Sequence, residues 1–116
     1  MPHRIVSWLE DVHTSIGNID DYLGTQRNYF VYQNNKMLRQ SIELNLILIG
    51  ETVNNLLKQN PELPLTNARK IVNLRNLIVH SYDDVDNTII WSIIVNHLPT
   101  LKVEIEGLLA KYDTEQ

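Results

Sequence analysis

Eight consecutive residues, Arg75-Asn76-Leu77-Ile78-Val79-His80-Ser81-Tyr82, gather a guanidinium, a carboxamide, an imidazole and a phenol. These are the groups that RNA cleavage without a metal requires. An imidazole titrates near neutrality, so His80 can take the proton from a ribose 2′-hydroxyl or return one to the leaving 5′-oxygen. The guanidinium of Arg75 can clamp a phosphate bidentately and stabilise the charge that develops on it in the transition state. Asn76 can orient either partner. One imidazole is poorly suited to serving as acid and base in a single pass, and a second copy of the chain across a twofold axis fits the chemistry better.

The segment lies near the end of an expected helix. Thr66 is the predicted cap, and Ile71, Leu74 and Ile78 form the apolar stripe running to about His80. On an ideal helix Asn76 and His80 share a face, whereas Arg75 and His80 diverge by roughly 140° at about 100° per residue. A long Arg side chain or a loosened last turn must close that angle.

The rest of the chain reads as helices that hold this segment. Ile5, Leu9, Val12, Ile16, Ile19 and Leu23 recur at three- and four-residue steps, with Pro2 at the entry and Gly24 at the exit. Thr25 is the expected cap of a long second helix that carries Phe30, Leu38, Ile42, Ile49, Val53 and Leu56 toward Asn60, kinked or interrupted around Asn34 and Asn35. Pro61 and Pro64 end it. After Tyr82 the run Asp83-Asp84-Val85-Asp86 makes a polar turn, in which Asp84 or Asp86 can cap a last helix lined by Ile89, Ile90, Ile93, Ile94, Leu98, Leu101, Ile105 and Leu108. Pro99 is expected to kink or split that helix. Striped helices with short connections imply an all-α, antiparallel four- to five-helix bundle, one domain over residues 1–116. Leu44, Leu46, Ile47, Leu48 and Ile49 wrap much of one helix, which suits a second buried face such as a homodimer interface.

Composition narrows the chemistry further. The chain has 116 residues, no Cys and only four Gly and four Pro, which excludes disulfide scaffolds, thiolate metal sites and Cys nucleophiles, and disfavours a β-rich fold. Formal charge is −4, which by itself disfavours binding to nucleic acid. Its distribution is uneven: residues 27–75 hold seven basic and three acidic groups, between acidic flanks, so a local basic cleft is possible. No signal-peptide core or membrane-length apolar run is present, and the expectation is a soluble, cytoplasmic protein.

Arg75 and His80, with Asn76 after the Arg, match the R-x4-H motif of HEPN domains, the small α-helical ribonucleases of prokaryotic defence and toxin systems. Tyr82 extends the match to R-x4-H-x-Y, so the chain resembles the HepT toxins of HepT-MntA toxin-antitoxin pairs, a type VII system. Gly50-Glu51, Val85-Asp86, Trp91 and Leu98-Pro99-Thr100-Leu101 are further points of likeness. The resemblance implies a homodimer with Arg75 and His80 of both subunits lining one cleft, RNA as the substrate and no metal or other cofactor. It also implies a partner, an MntA-like nucleotidyltransferase antitoxin that transfers AMP from ATP to Tyr82. Adenylylation would place a bulky anion two residues from His80, where it competes with RNA phosphate for Arg75.

Plainer readings stand beside these. Arg75 can pair with Asp83 or Asp84, His80 can simply favour a helix C-terminus, and Tyr82 can pack at a helix end. His80 with Asp83, Asp84 and Asp86 fits no zinc or EF-hand spacing, so capping is the better account of the acids. His3, His13 and His97 read as surface or interface residues, and Ser81 gains no nucleophilic role from adjacency to His80. Glu51 is either buried against Arg75 or Arg39 or part of the site. Trp91 reads as core. Arg69 and Lys70, shortly before Arg75, are the best candidates for added phosphate contacts. The competing function is a non-catalytic helical dimer that binds a nucleotidyltransferase.

Overall fold

The computed structural model describes residues 2–114, with side chains over 4–112. Six α-helices account for nearly all of it: α1 (Pro2–Leu23), α2 (Tyr29–Gln33), α3 (Lys36–Gln59), α4 (Ala68–His80), α5 (Asn87–Asn96) and α6 (Leu98–Thr114), with a 3-10 turn at Tyr82–Asp84. The expected all-α bundle is what the chain forms. The breaks between helices follow the polar and proline signals of the sequence, with two local corrections and one choice between expected alternatives.

The cap of the second segment is Asn28 and not Thr25. Its Oδ1 accepts from the N–H groups of Phe30 and Val31 at 2.9 and 3.3 Å. An Asn carboxamide reaches the first-turn donors of a helix that starts one residue later, which leaves residues 24–28 as a connection. The interruption at Asn34-Asn35 is complete: Asn35 is extended and its side chain caps α3 by accepting from Leu38 N–H at 3.0 Å. Thr66 does not cap α4. Its N–H and hydroxyl both bind the Glu104 carboxylate of α6, at 3.2 and 3.0 Å, and the N-cap position falls to Asn67, whose side chain makes no capping bond. That tie fastens the α3–α4 connection to α6.

Other signals act as read. Gly24, at φ 69°, ends α1 in the left-handed region that suits a residue without Cβ. Pro99 splits the last segment: α5 stops at Asn96, and α6 begins at Leu98 with the proline in its first turn, where no donor is lost.

Central helix α3 packs on α4 and α1, α1 packs on α6, and α6 on α5. Neighbours run antiparallel. Residues 13 and 20 of α1 meet 106 and 102 of α6, through His13–Glu106 at 2.9 Å and Lys102–Asp20 at 3.4 Å. Ile5, Leu9, Val12, Ile16 and Ile19 are buried as the stripe predicts, and they meet Ile42, Leu46, Ile49, Val53, Ile71, Leu74, Ile90, Ile94, Leu101 and Ile105 in one core. Burial of a side chain of this size contributes about 1.5–3 kcal/mol, which fixes the helix phases. No described helix is long and apolar enough to cross a membrane.

Asp86 caps α5 by accepting from Thr88 N–H at 2.9 Å, and that bond holds its carboxyl below the ordinary carboxylate range. A depressed folded-state value stabilises the fold above the unfolded value and stops doing so as pH falls through the depressed one. Asp86→Ala is therefore expected to lower the thermal midpoint at neutral pH, with the difference from wild type shrinking in acid; a pH series of melting curves reads it.

Candidate active site

α4 carries most of the motif, and its phase decides which side chains meet. Ile71, Leu74 and Ile78 are buried toward the core. The opposite face is exposed, and Arg69, Asn73, Asn76 and His80 recur along it at steps of three and four. Arg69 thus shares a stripe with Asn76 and His80, while Lys70 turns toward α5, where it borders an apolar groove with Leu74, Leu77, Ile89 and Ile93.

Arg75 points between these faces, onto α3. The reason is Gly50. A Cβ at that position would overlap the Cβ of Arg75 and lie 2.8 Å from its Cγ and 3.3 Å from the carbonyl oxygen of Ile71. Only a residue without a side chain lets α3 and α4 approach so closely. Across this contact the Arg75 Nη1 donates to Asn76 Oδ1 at 2.6 Å, and Nη2 lies 3.5 Å from Glu51 Oε1. Nε is buried without a hydrogen-bond partner. Arg75 therefore pairs with Glu51 and Asn76, not with Asp83 or Asp84. The Glu51 contact is long and its carboxylate is half-exposed. Such a pair contributes little and yields to a better acceptor, such as a phosphate that takes two N–H groups at once.

His80 sits exposed on the last turn of α4, whose helical bonding continues through Ser81 N–H to Leu77 C=O at 2.9 Å. The last turn is not loosened. Among the described residues no hydrogen bond or ion pair joins His80 to Arg75, and their positions on a regular helix diverge by roughly 140°.

Tyr82 opens the 3-10 turn with 54% of its surface exposed, but its hydroxyl points inward and donates to Glu43 Oε1 at 3.0 Å. Glu43 is buried on α3, at 7% exposure. The hydrogen bond to Glu43, and then the carboxylate's charge, hold the phenolic proton and raise Tyr82 above the ordinary tyrosine range, while Arg39 opposes the shift. Tyr32 of α2 is close to the same carboxylate. Fully buried, its hydroxyl has no hydrogen-bond partner, and its titration is driven up by burial first and by Glu43 second. Trp91 packs on Tyr32 and Tyr29, with ring centroids 5.3 and 5.7 Å away, and is partly buried against the core.

Glu43, beside Tyr82, is a residue that sequence reasoning passes over, whereas Tyr32 reads from sequence as one of several aromatics able to stack on bases. A signal existed for Glu43, which recurs with Leu46 and Gly50 at steps of three and four on the buried side of α3. His13, read as a surface residue, has a partner 93 residues away in Glu106, which no local pattern announces. Among the described residues no group of three or more His, Asp or Glu side chains is placed to hold a metal ion.

A family model described as "Ribonuclease HepT-like" matches residues 12–108. Two proteins of Methanocaldococcus jannaschii are similar over most of their lengths. "Putative RNase MJ1380" is 28% identical over 106 residues, covering 88% of this chain and 94% of its own. "Putative RNase MJ0127" is 26% identical over 120 residues, covering 99% and 96%. No solved structure matches the chain at comparable significance.

Two measurements check this geometry. Gly50→Ala is expected to destabilise the fold by up to about 2 kcal/mol, since overpacking of about 1–3 kcal/mol is offset by about 1 kcal/mol of helix propensity. Arg75→Gly in the same background should relieve the clash and Arg75→Ala should not, as read by denaturant unfolding. Separately, because folding raises Tyr82, its hydrogen bond stabilises the protein below the ordinary tyrosine range and that contribution disappears as pH climbs through the raised value. Glu43→Gln is expected to bring the titration of Tyr82 down, as seen by ultraviolet difference titration against Tyr82→Phe.

Proposed function

The chain belongs to the HepT-like ribonuclease family, and from that footing we propose that it is the toxin of a HepT-MntA-like pair, cleaving RNA without a metal at a site shared by two copies. In this reading His80 is the general acid or base, Arg75 clamps the phosphate, Asn76 orients the guanidinium, and Arg69, with Lys70 more distantly, extends the phosphate track.

One observation carries the proposal. Arg75 and Asn76 are bonded to each other on α4 and His80 is exposed on the same helix, yet Arg75 and His80 diverge within one protomer. A twofold axis beside α4 resolves this, because it sets two Arg–Asn clamps and two imidazoles around one cleft. An apolar surface suited to such an axis lies alongside. Met37, Leu44 and Leu48 are exposed on one face of α3, and that face continues to Glu51 at the Arg75 guanidinium. Tyr82, half-exposed two residues beyond His80, is the control point: AMP transferred to it by an MntA-like nucleotidyltransferase adds an anion that competes with RNA for Arg75.

The test is RNA cleavage in excess chelator. Wild type is expected to retain activity, and Arg75→Ala and His80→Ala each to lose about 100-fold or more. Mixing wild type with an excess of His80→Ala is expected to lower the activity per wild-type chain, because the heterodimers carry a single imidazole in the shared cleft. Equal activity in the single variants sinks the catalytic assignment, and undiminished activity of wild type in heterodimers with His80→Ala sinks the shared site.

A further inference from the structure

Burial of Glu43 is costly unless something donates to it. A carboxylate at 7% exposure, on a helix face otherwise occupied by Leu46 and Gly50, is retained only where it is hydrogen-bonded. Its donor is the Tyr82 hydroxyl, at 3.0 Å. Glu43 acts on two phenols, Tyr82 of the 3-10 turn and Tyr32 of α2, and the other groups acting on those phenols are Arg39 of α3, on both, and Tyr29 of α2, on Tyr32. Arg39 also donates to the Gln33 carbonyl, which holds its guanidinium across the α2–α3 break.

We infer that Glu43 is the proton acceptor for Tyr82, orienting its Oη and removing its proton as that oxygen becomes bonded to AMP. The inference rests on the reading of Tyr82 as the modified residue, and it locates the base in the toxin itself. In the step, Tyr82 Oη attacks the α-phosphorus of ATP, the bond from that phosphorus to the bridging oxygen breaks, and pyrophosphate leaves. The phenolic proton passes to Glu43 Oε1. A neutral phenol is a weak nucleophile, and a carboxylate already at hydrogen-bond distance takes its proton as the new bond forms.

The surroundings suit both ends of this step. Before transfer, the carboxylate holds the proton on Tyr82 and fixes the direction of the Oη lone pairs, while more than half of the ring surface stays open to an incoming nucleotide. After transfer, Tyr82 Oη is a phosphoester oxygen with no proton to give, and Glu43 needs another partner. The Tyr32 hydroxyl, fully buried, near the same carboxylate and without a hydrogen-bond partner, is the group available. Arg39 supplies positive charge near both phenols.

The experiment follows AMP incorporation by intact mass, using the full chain, the MntA-like nucleotidyltransferase and magnesium ATP, at neutral and at mildly alkaline pH. Wild type is expected to gain AMP and Tyr82→Phe to gain none. Glu43→Gln keeps an oxygen that accepts from Tyr82 but takes up no proton. It is expected to lower kcat for transfer about 100-fold at neutral pH with little change in KM, and to recover part of that loss in alkali, where hydroxide generates the phenolate. Glu43→Asp keeps the acceptor on a shorter stem and is expected to fall between the two. If Glu43 only positions the ring, Gln keeps the wild-type rate. If it only raises the phenol's titration, Gln accelerates transfer. Either result overturns the assignment while leaving modification of Tyr82 intact, as does a Gln variant faster than the Asp variant. Absence of AMP from wild type, or its persistence in Tyr82→Phe, overturns the modification reading and this role with it.

Discussion

At Gly50 the backbone of α3 lies so near α4 that the Cβ of Arg75 occupies the place a side chain would take. The placement of the Arg75 guanidinium depends on that contact. It turns Arg75 away from the exposed stripe of α4, sets Nη2 beside Glu51 and leaves Nη1 bonded to Asn76. It also fixes the register of the two helices. With residue 50 against 75 and residue 43 against 82, α3 and α4 run antiparallel, and Glu43 falls under the hydroxyl that follows the end of α4. A side chain at residue 50 would therefore disturb both ends of the site.

Charge in this region is arranged so that each group is weakly satisfied on one side and open on the other. Arg75 has one short hydrogen bond, one long ion pair and a buried Nε without a partner. Tyr82 has a buried acceptor at its oxygen and an exposed ring. His80 stands exposed on the last turn of α4. Such groups can exchange their internal partners for a phosphate at little cost, whereas fully paired buried ions cannot. The overall negative charge of the chain is compatible with this, because Arg69, Lys70 and Arg75 lie together on α4 while most of the acidic residues lie outside residues 27–75.

Much of the architecture was legible because helices announce themselves locally. Stripes of Ile and Leu at three- and four-residue steps gave α1, α4 and the α5–α6 segment their buried faces, and Gly24, Asp86 and Pro99 act at the positions their chemistry suggests. Where local reasoning erred, two residues competed for one job. Thr25 and Asn28 both suit a helix start, and the carboxamide that reaches two N–H groups prevailed. Thr66 has a hydroxyl suited to capping, but Glu104 lies within reach only in the folded chain and takes both its donors.

For the proposed site, residue types and spacing along one helix pointed to Arg75, Asn76 and His80 as candidates, and the role of Tyr82 came from the resemblance of the R-x4-H-x-Y motif. Sequence also fixed the angle between Arg75 and His80, because a regular helix leaves no freedom in it. What the sequence left open was every relation across helices: whether Glu51 is the partner of Arg75, why residue 50 is Gly, and that a carboxylate and a second phenol lie behind Tyr82. Those relations depend on which faces of α2, α3 and α4 meet and at what separation. Packing of the whole core sets both, and no periodicity within a single segment encodes them.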